Sequence, residues 1–148
     1  MQISSRFSIG VHILSLLALN PHEHHTSEWI AASVGTNPVV IRRVLGQLKK
    51  VGLASVKAGS GGAALARPLD QVTLLDVYRA VEVVDEGELF HVHGQPNPAC
   101  DVGANIEGVL RLMLVKAQQA MEGVLAAVTM EELVNVLARE IKTKKAAE

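Results

Sequence analysis

Apolar residues recur every three or four positions along most of this chain, and turn residues cut the recurrence into segments. Ile3, Phe7, Val11, Leu14 and Ala18 fall at steps of four, four, three and four, one face of a helix over about residues 3–19. Asn20-Pro21 stops it, and the polar run His22-Glu23-His24-His25 reads as a solvated loop. Thr26 or Ser27 can cap a short second helix, with Glu28 favourably placed in its first turn. Trp29, Ile30, Ala32 and Val34 supply its buried face, and Gly35 ends it.

The stretch NPVVIRRVLGQLKKVGL follows, from Asn37 to Leu53. Asn37 is a good N-cap, and Pro38 suits the first helical position because its missing N–H is not needed there. Val40, Val44, Leu45 and Leu48 form an inward stripe, leaving Val39, Arg42, Arg43, Gly46 and Lys49 largely outside. Gly52 suits the left-handed residue after a helix end. Two short helices joined by VGTN make a helix-turn-helix pattern whose second member is the recognition helix. Next, residues 53–57 and 63–66 read as short strands flanking AGSGG, a glycine hairpin that reads as a wing. A phosphate-cradling nucleotide loop is the competing reading. Neither a Walker lysine nor a dinucleotide fingerprint surrounds the glycines to support it.

Thr73 and Asp76 form a capping box that opens a helix to about residue 84. Residues 85–104 are a turn-rich linker. A long helix is predicted from near Asn105, where Ile106, Leu110, Met113, Ala117, Ala120 and Val124 alternate steps of four and three. That seam suits packing against another helix, and Val109, Met121 and Val128 widen it. It is more apolar surface than so small a domain needs. The expectation is a dimer interface, against the alternative of a helix folded back on its own domain. Thr129 and Glu132 open a last helix that ends in the frayed, solvated tail KTKKAAE. The fold class is therefore mainly α with a small β-hairpin wing: a winged helix-turn-helix domain over 1–84, a linker or sensor loop over 85–104, and dimerisation and C-terminal helices over 105–148.

Composition and charge sharpen this picture. Among 148 residues, 49% are hydrophobic but only 3% aromatic, so the core is aliphatic. The net charge of −1 conceals an asymmetry. Residues 1–67 hold seven basic and two acidic residues, a net of +5, whereas 68–148 hold seven and thirteen, a net of −6. The N-terminal half suits a polyanion and the C-terminal half resists one. No apolar run reaches the ~20 residues of a membrane span. No small-residue cleavage site follows the start, so no signal peptide is expected. One cysteine, Cys100, leaves no disulfide framework within the chain, and a reducing cytoplasm is the expected location.

Taken together, NPVVIRRVLGQLKKVGL, the glycine-rich wing, LARP, VTLLDVYRAVE and the start MQISSRFSIGVHILSLLAL resemble the Rrf-two (Rrf2) family of bacterial winged-helix regulators, most strongly over residues 1–83. The resemblance implies a homodimer on a palindromic DNA operator, usually as a repressor. It also implies DNA contacts at Ser4, Ser5 and Arg6, at Asn37, Pro38, Val39, Arg42 and Arg43, and at Lys57, Ser60, Gly61 and Gly62. The chemistry agrees: helix N-termini and Asn37 suit phosphate, and Arg42 or Arg43 can read guanine with two hydrogen bonds. Two departures stand out. Many members have arginine and proline in the wing where this chain has Ala58 and Ser60, so Lys57 substitutes only as a point charge. Cluster-binding members carry three linker cysteines, whereas a [2Fe–2S] cluster on Cys100 alone lacks its ligand set, so no cofactor is expected.

PNPACDVGANI instead resembles a cluster-less subgroup in which some members sense oxidants through a linker thiol. A helix starting earlier than Asn105 would lower the Cys100 pKa, while Asp101 opposes this. The competing reading is a small packing residue. His91 and His93 with Cys100 are a weak candidate metal set, or two residues of a short strand facing one way. No nucleophile–base–orienter constellation stands out, so an enzyme is not expected. The alternatives are a winged-helix protein-interaction module and a regulator responding to a metal or small ligand.

Overall fold

The computed structural model describes residues 4–59, 62–82 and 89–148. Helices α1 (Ser5–Leu19), α2 (Ser27–Val34) and α3 (Pro38–Lys50) are followed by strands β1 (Ala54–Val56) and β2 (Ala63–Leu65). A 3-10 turn at Leu69–Gln71 leads to α4 (Leu74–Val81), the long α5 (Asp101–Ala127) and α6 (Met130–Ala146). The architecture is mainly helical with one antiparallel hairpin, in which Ala54 pairs with Leu65 and Val56 with Ala63.

Side-chain caps set the helix starts. Thr26 Oγ1 accepts from the Trp29 N–H at 3.1 Å, and Asn37 Oδ1 from the Val40 N–H at 3.1 Å. Thr73 and Asp76 form the expected reciprocal capping box at 2.9 and 3.1 Å. Thr129 Oγ1 accepts from the Glu132 N–H at 3.2 Å. Each cap satisfies donors that a helix start leaves without intrahelical partners. Gly35 ends α2 with φ of 80°, a left-handed turn that suits glycine.

These helices close around one aliphatic core. Ile13, Leu14 and Leu17 of α1 meet Ile30, Ile41, Val44, Leu45 and Leu48 of α2 and α3, with Val77 and Val81 of α4. Gly10 lets α1 approach α4, since a Cβ there would stand 3.2 Å from a Val77 methyl. The α3 stripe differs by one position from the sequence expectation: Ile41 is buried and Val40 only half so. The positions 41, 44, 45 and 48 follow the helical repeat more closely than a stripe starting at 40. The Leu74 N–H donates to the Val128 carbonyl at 2.9 Å, and the Met130 N–H to that of Val72 at 2.7 Å. Met130 is fully buried, so α6 is anchored beside the start of α4, and α6 packs along α1.

α5 begins at Asp101, four residues before the expected start, because the Asn97–Cys100 turn leads directly into it. α6 continues helically to Ala146 through most of the tail expected to fray. The end of α4 expected near residue 84 lies outside the described residues. His91 and His93 are exposed in irregular chain instead of a strand. Among the described residues no helix is long and apolar enough to cross a membrane.

Candidate functional site

α3 buries one face and presents the other. Val39, Arg42 and Arg43 are exposed on its outer side, behind an N-terminus fixed by Asn37 and Pro38. Asn37 Oδ1 is engaged in the cap, which leaves its amide N–H groups to donate outward. Arg42 Nη2 donates to Glu28 Oε1 at 2.8 Å, across the turn that joins α2 to α3. At the start of α1, Ser4 is the N-cap, and its hydroxyl accepts from both the N–H and the Nε of Arg6 at 3.2 Å. Ser5 is exposed beside them.

The wing is held close to the helix-turn-helix. The Lys57 N–H donates to the Gly62 carbonyl at 3.1 Å, closing the hairpin, and the Ala63 N–H donates to the His25 carbonyl at 2.9 Å. Gly62 has φ of 54°, and a Cβ there would stand 3.1 Å from that carbonyl oxygen. His25 is therefore not a solvated loop residue. It is only 6% exposed, and its ring meets Trp29 edge-on at 5.1 Å between centroids. Burial follows because its backbone is the tether for β2.

One recess of about 320 Å³ lies between the start of α2, the outer side of α3 and the wing; Glu28, Arg42, Lys57, Gly59 and Gly62 are among its walls. The structure thus brings Arg42 and Lys57 together. Ser4, Ser5 and Arg6 lie apart from that recess, and Ser60 and Gly61 lie outside the described residues. Sequence reasoning gave Glu28 only a helix-start role. Its pairing with a residue fourteen positions away depends on how α2 crosses α3, which no spacing rule encodes.

Cys100 is exposed at the N-cap position of α5. Its thiol makes no capping hydrogen bond, but the backbone N–H groups of Gly103 and Val102 face it and lower its pKa, burial opposing weakly. The thiolate therefore persists to lower pH than for an ordinary thiol, and alkylation should stay fast as pH falls toward neutrality. A Cβ on Gly103 would collide with the Asn97 carbonyl. Gly103→Ala is expected to shift the first turn of α5 away from the sulfur, returning the pKa toward the ordinary thiol range. The pH profile of iodoacetamide labelling would move upward; an unchanged profile would exclude the N–H groups as the cause.

Along α5 no residue is buried. Ile106 and Leu110 are half-buried, whereas Met113, Ala117, Ala120 and Val124 are exposed. Val102, Val109 and Leu112 extend the exposed apolar stripe, Leu112 at 68% exposure. Among the described residues no three His, Cys, Asp or Glu side chains gather to hold a metal.

Comparison with known proteins places this geometry. The family model for Rrf2, described as an iron-dependent transcriptional regulator, matches residues 3–136. The HTH-type transcriptional regulator YwnA of Bacillus subtilis (strain 168) is 43% identical over 135 residues, covering 91% of this chain and 98% of that one. A solved structure described as a DNA-binding protein is 38% identical, with a TM-score of 0.69 over 87% of this chain and 98% of its own. A transcriptional regulator from Lactobacillus plantarum shares the fold at a TM-score of 0.79 and 23% identity, over 97% of this chain and 99% of its own. The family description names iron, but one thiol per chain does not fit the four-ligand set of an iron–sulfur cluster.

Proposed function

From the premise that this chain belongs to the Rrf2 family of transcriptional regulators, we propose that it acts as a homodimeric repressor on a palindromic operator and that oxidation of Cys100 changes its affinity. Its function is DNA-binding transcription regulation, and the family is not one of enzymes. The observation that supports the DNA-contact part of this reading is the outer side of α3: Arg42 and Arg43 are exposed in one turn, Arg42 shares a recess with Lys57, and the opposite side of the helix is fixed by the core. In this reading α3 enters the major groove and Arg43, which has no ion-pair partner among the described residues, contacts DNA with Arg42. Asn37, Pro38 and Val39 at the start of α3, and Ser4, Ser5 and Arg6 at the start of α1, adjoin the sugar–phosphate backbone. Lys57 and Gly62, with Ser60 and Gly61 from the sequence reading, adjoin the flanking phosphates. The apolar stripe of α5 joins two copies, whose two-fold symmetry matches a palindrome. The working compartment is the cytoplasm, where DNA and a reduced Cys100 coexist.

Fluorescence anisotropy with the DNA upstream of its own gene, at several salt concentrations, tests the reading. Arg43→Ala is expected to weaken binding to every duplex and reduce the salt slope by about one per subunit, without lowering the melting temperature. Oxidant treatment should change wild-type affinity, and Cys100→Ser should abolish that change. Salt-insensitive binding would sink the groove assignment; a redox response retained in Cys100→Ser would sink the thiol assignment.

A further inference from the structure

Arg42 and Arg43 are adjacent in sequence, yet their surroundings differ. Arg42 is tied to Glu28 at 2.8 Å, while Arg43 has no ion-pair partner among the described residues. The Arg42–Glu28 pair does little to hold the helices together. Its side chains are 56% and 66% exposed, and pairs that open to water contribute little stability. Ile30, Ala31, Ile41, Val44 and Leu45 already fix α2 against α3.

Glu28 is held in place from its own side. It lies in the first turn of α2, just behind the Thr26 cap, where the helix N-terminus favours a negative charge. Its carboxylate stands at the wall of the recess that also holds Arg42, Lys57, Gly59 and Gly62. On a surface that meets a polyanion, such a charge weakens sequence-independent attraction. What it supplies is geometry. A guanidinium is a planar fork with five donors. With one Nη bound to Glu28, the plane is oriented, and the remaining donors point one way in place of sweeping a wide arc.

We propose that Glu28 is a specificity-determining positioning residue of the DNA interface: its carboxylate ties one end of Arg42 in the free and the bound protein, and so fixes which base edge the remaining Arg42 donors reach. This rests on the reading that α3 enters the major groove. Arg43 then supplies mainly attraction, and Arg42 mainly discrimination.

The test uses the full-length protein and a duplex carrying the DNA upstream of its own gene, together with all its single base-pair substitutions, titrated by fluorescence anisotropy. Arg42→Ala should flatten the preference at one base pair in each half-site. Glu28→Ala should reduce the preference at that same pair by roughly five- to tenfold, toward the Arg42→Ala profile. Glu28→Gln, which keeps an amide oxygen at the same reach, should recover most of it. In an Arg42→Ala background, Glu28→Ala should have no further effect on preference. Melting temperatures within a few degrees of wild type show that the variants are folded. If Glu28→Ala and Glu28→Gln both raise affinity for every duplex by one factor, Glu28 is only a repulsive charge and the proposal fails. Should Arg42→Ala leave wild-type preference intact, the proposal also fails while the regulator reading stands. A wild-type protein with no sequence preference at any salt concentration overturns both.

Discussion

Leu112→Glu is expected to turn this chain into a folded monomer that no longer holds its operator. Leu112 is 68% exposed on a helix with no buried residue, so glutamate there disturbs little within the chain and is a good helix former. In a two-fold dimer joined along α5, the change occurs twice. Losing two leucines from a buried interface removes about 3–6 kcal/mol of burial, and two desolvated carboxylates add to that. The association constant should fall at least about a thousandfold. A monomer reaches only one half-site, so specific affinity should drop by roughly three orders of magnitude toward non-specific binding. Light scattering on a sizing column reads the mass, anisotropy reads the operator, and an unchanged helical circular-dichroism spectrum with a cooperative melting transition, lowered only by the lost association, shows the fold is intact. If the variant elutes as wild type and still binds, α5 is not the contact between copies. The stripe Val102, Val109, Leu112, Met113 and Val124 would then need a different explanation.

That stripe also shows where the sequence was legible and where it was not. Local chemistry read well. Asn37, Thr73 and Thr129 each cap the helix they were expected to cap, and Thr26 is the one of the two expected candidates, Thr26 or Ser27, that caps α2, because a hydroxyl or amide oxygen reaches the third N–H along whatever lies around it. The wing was legible for a similar reason, since its glycines demand a tight turn. The face of α5 was only partly legible. The seam through Ile106, Leu110, Met113, Ala117, Ala120 and Val124 counts apolar residues, and α5 has apolar residues on more than one side. Which side meets the chain's own α4 is decided by how the Thr73–Thr129 bridge orients the returning chain. Ile106 and Leu110 go half under cover, and Leu112, absent from the seam, is exposed. His25 escaped for the same kind of reason. A histidine in a polar run reads as solvated, and only the arrival of β2 on its carbonyl, from nearly forty positions away, makes it a buried tether. The start of α5 at Asp101 was missed because the Asn97 turn has no helical periodicity, although the position of Gly103 against the Asn97 carbonyl accounts for it once seen. At the candidate interface, the arginines were legible from their place outside the stripe. Glu28 as the partner of Arg42 was not.

Ile41→Ala should separate the two sides of α3 most sharply. Ile41 is 0% exposed and next in sequence to Arg42, yet it faces the opposite way, into the contact between α2 and α3. Truncating it removes transfer free energy and leaves a cavity in an aliphatic core, a loss of about 2–5 kcal/mol. Against a typical total of about 5–15 kcal/mol, that is a large fraction. For a chain of this size the melting temperature should fall by roughly 5–15 °C. Ile41→Val, which leaves most of the volume filled, should cost only about 0.5–1.5 kcal/mol. At a temperature where the variant is still folded, its operator affinity should stay near wild type if the outer side of α3 meets DNA as proposed, because no group on that side has changed. Arg43→Ala should do the reverse, with melting unchanged and affinity lost. The crossed pair matters because a regulator can lose DNA by losing a contact or by losing the helix that presents it, and a binding assay alone does not distinguish the two. If Ile41→Ala melts like wild type, residue 41 is not where the helix meets its core. The outward placement of Arg42 and Arg43, which depends on that inward placement, would fall with it.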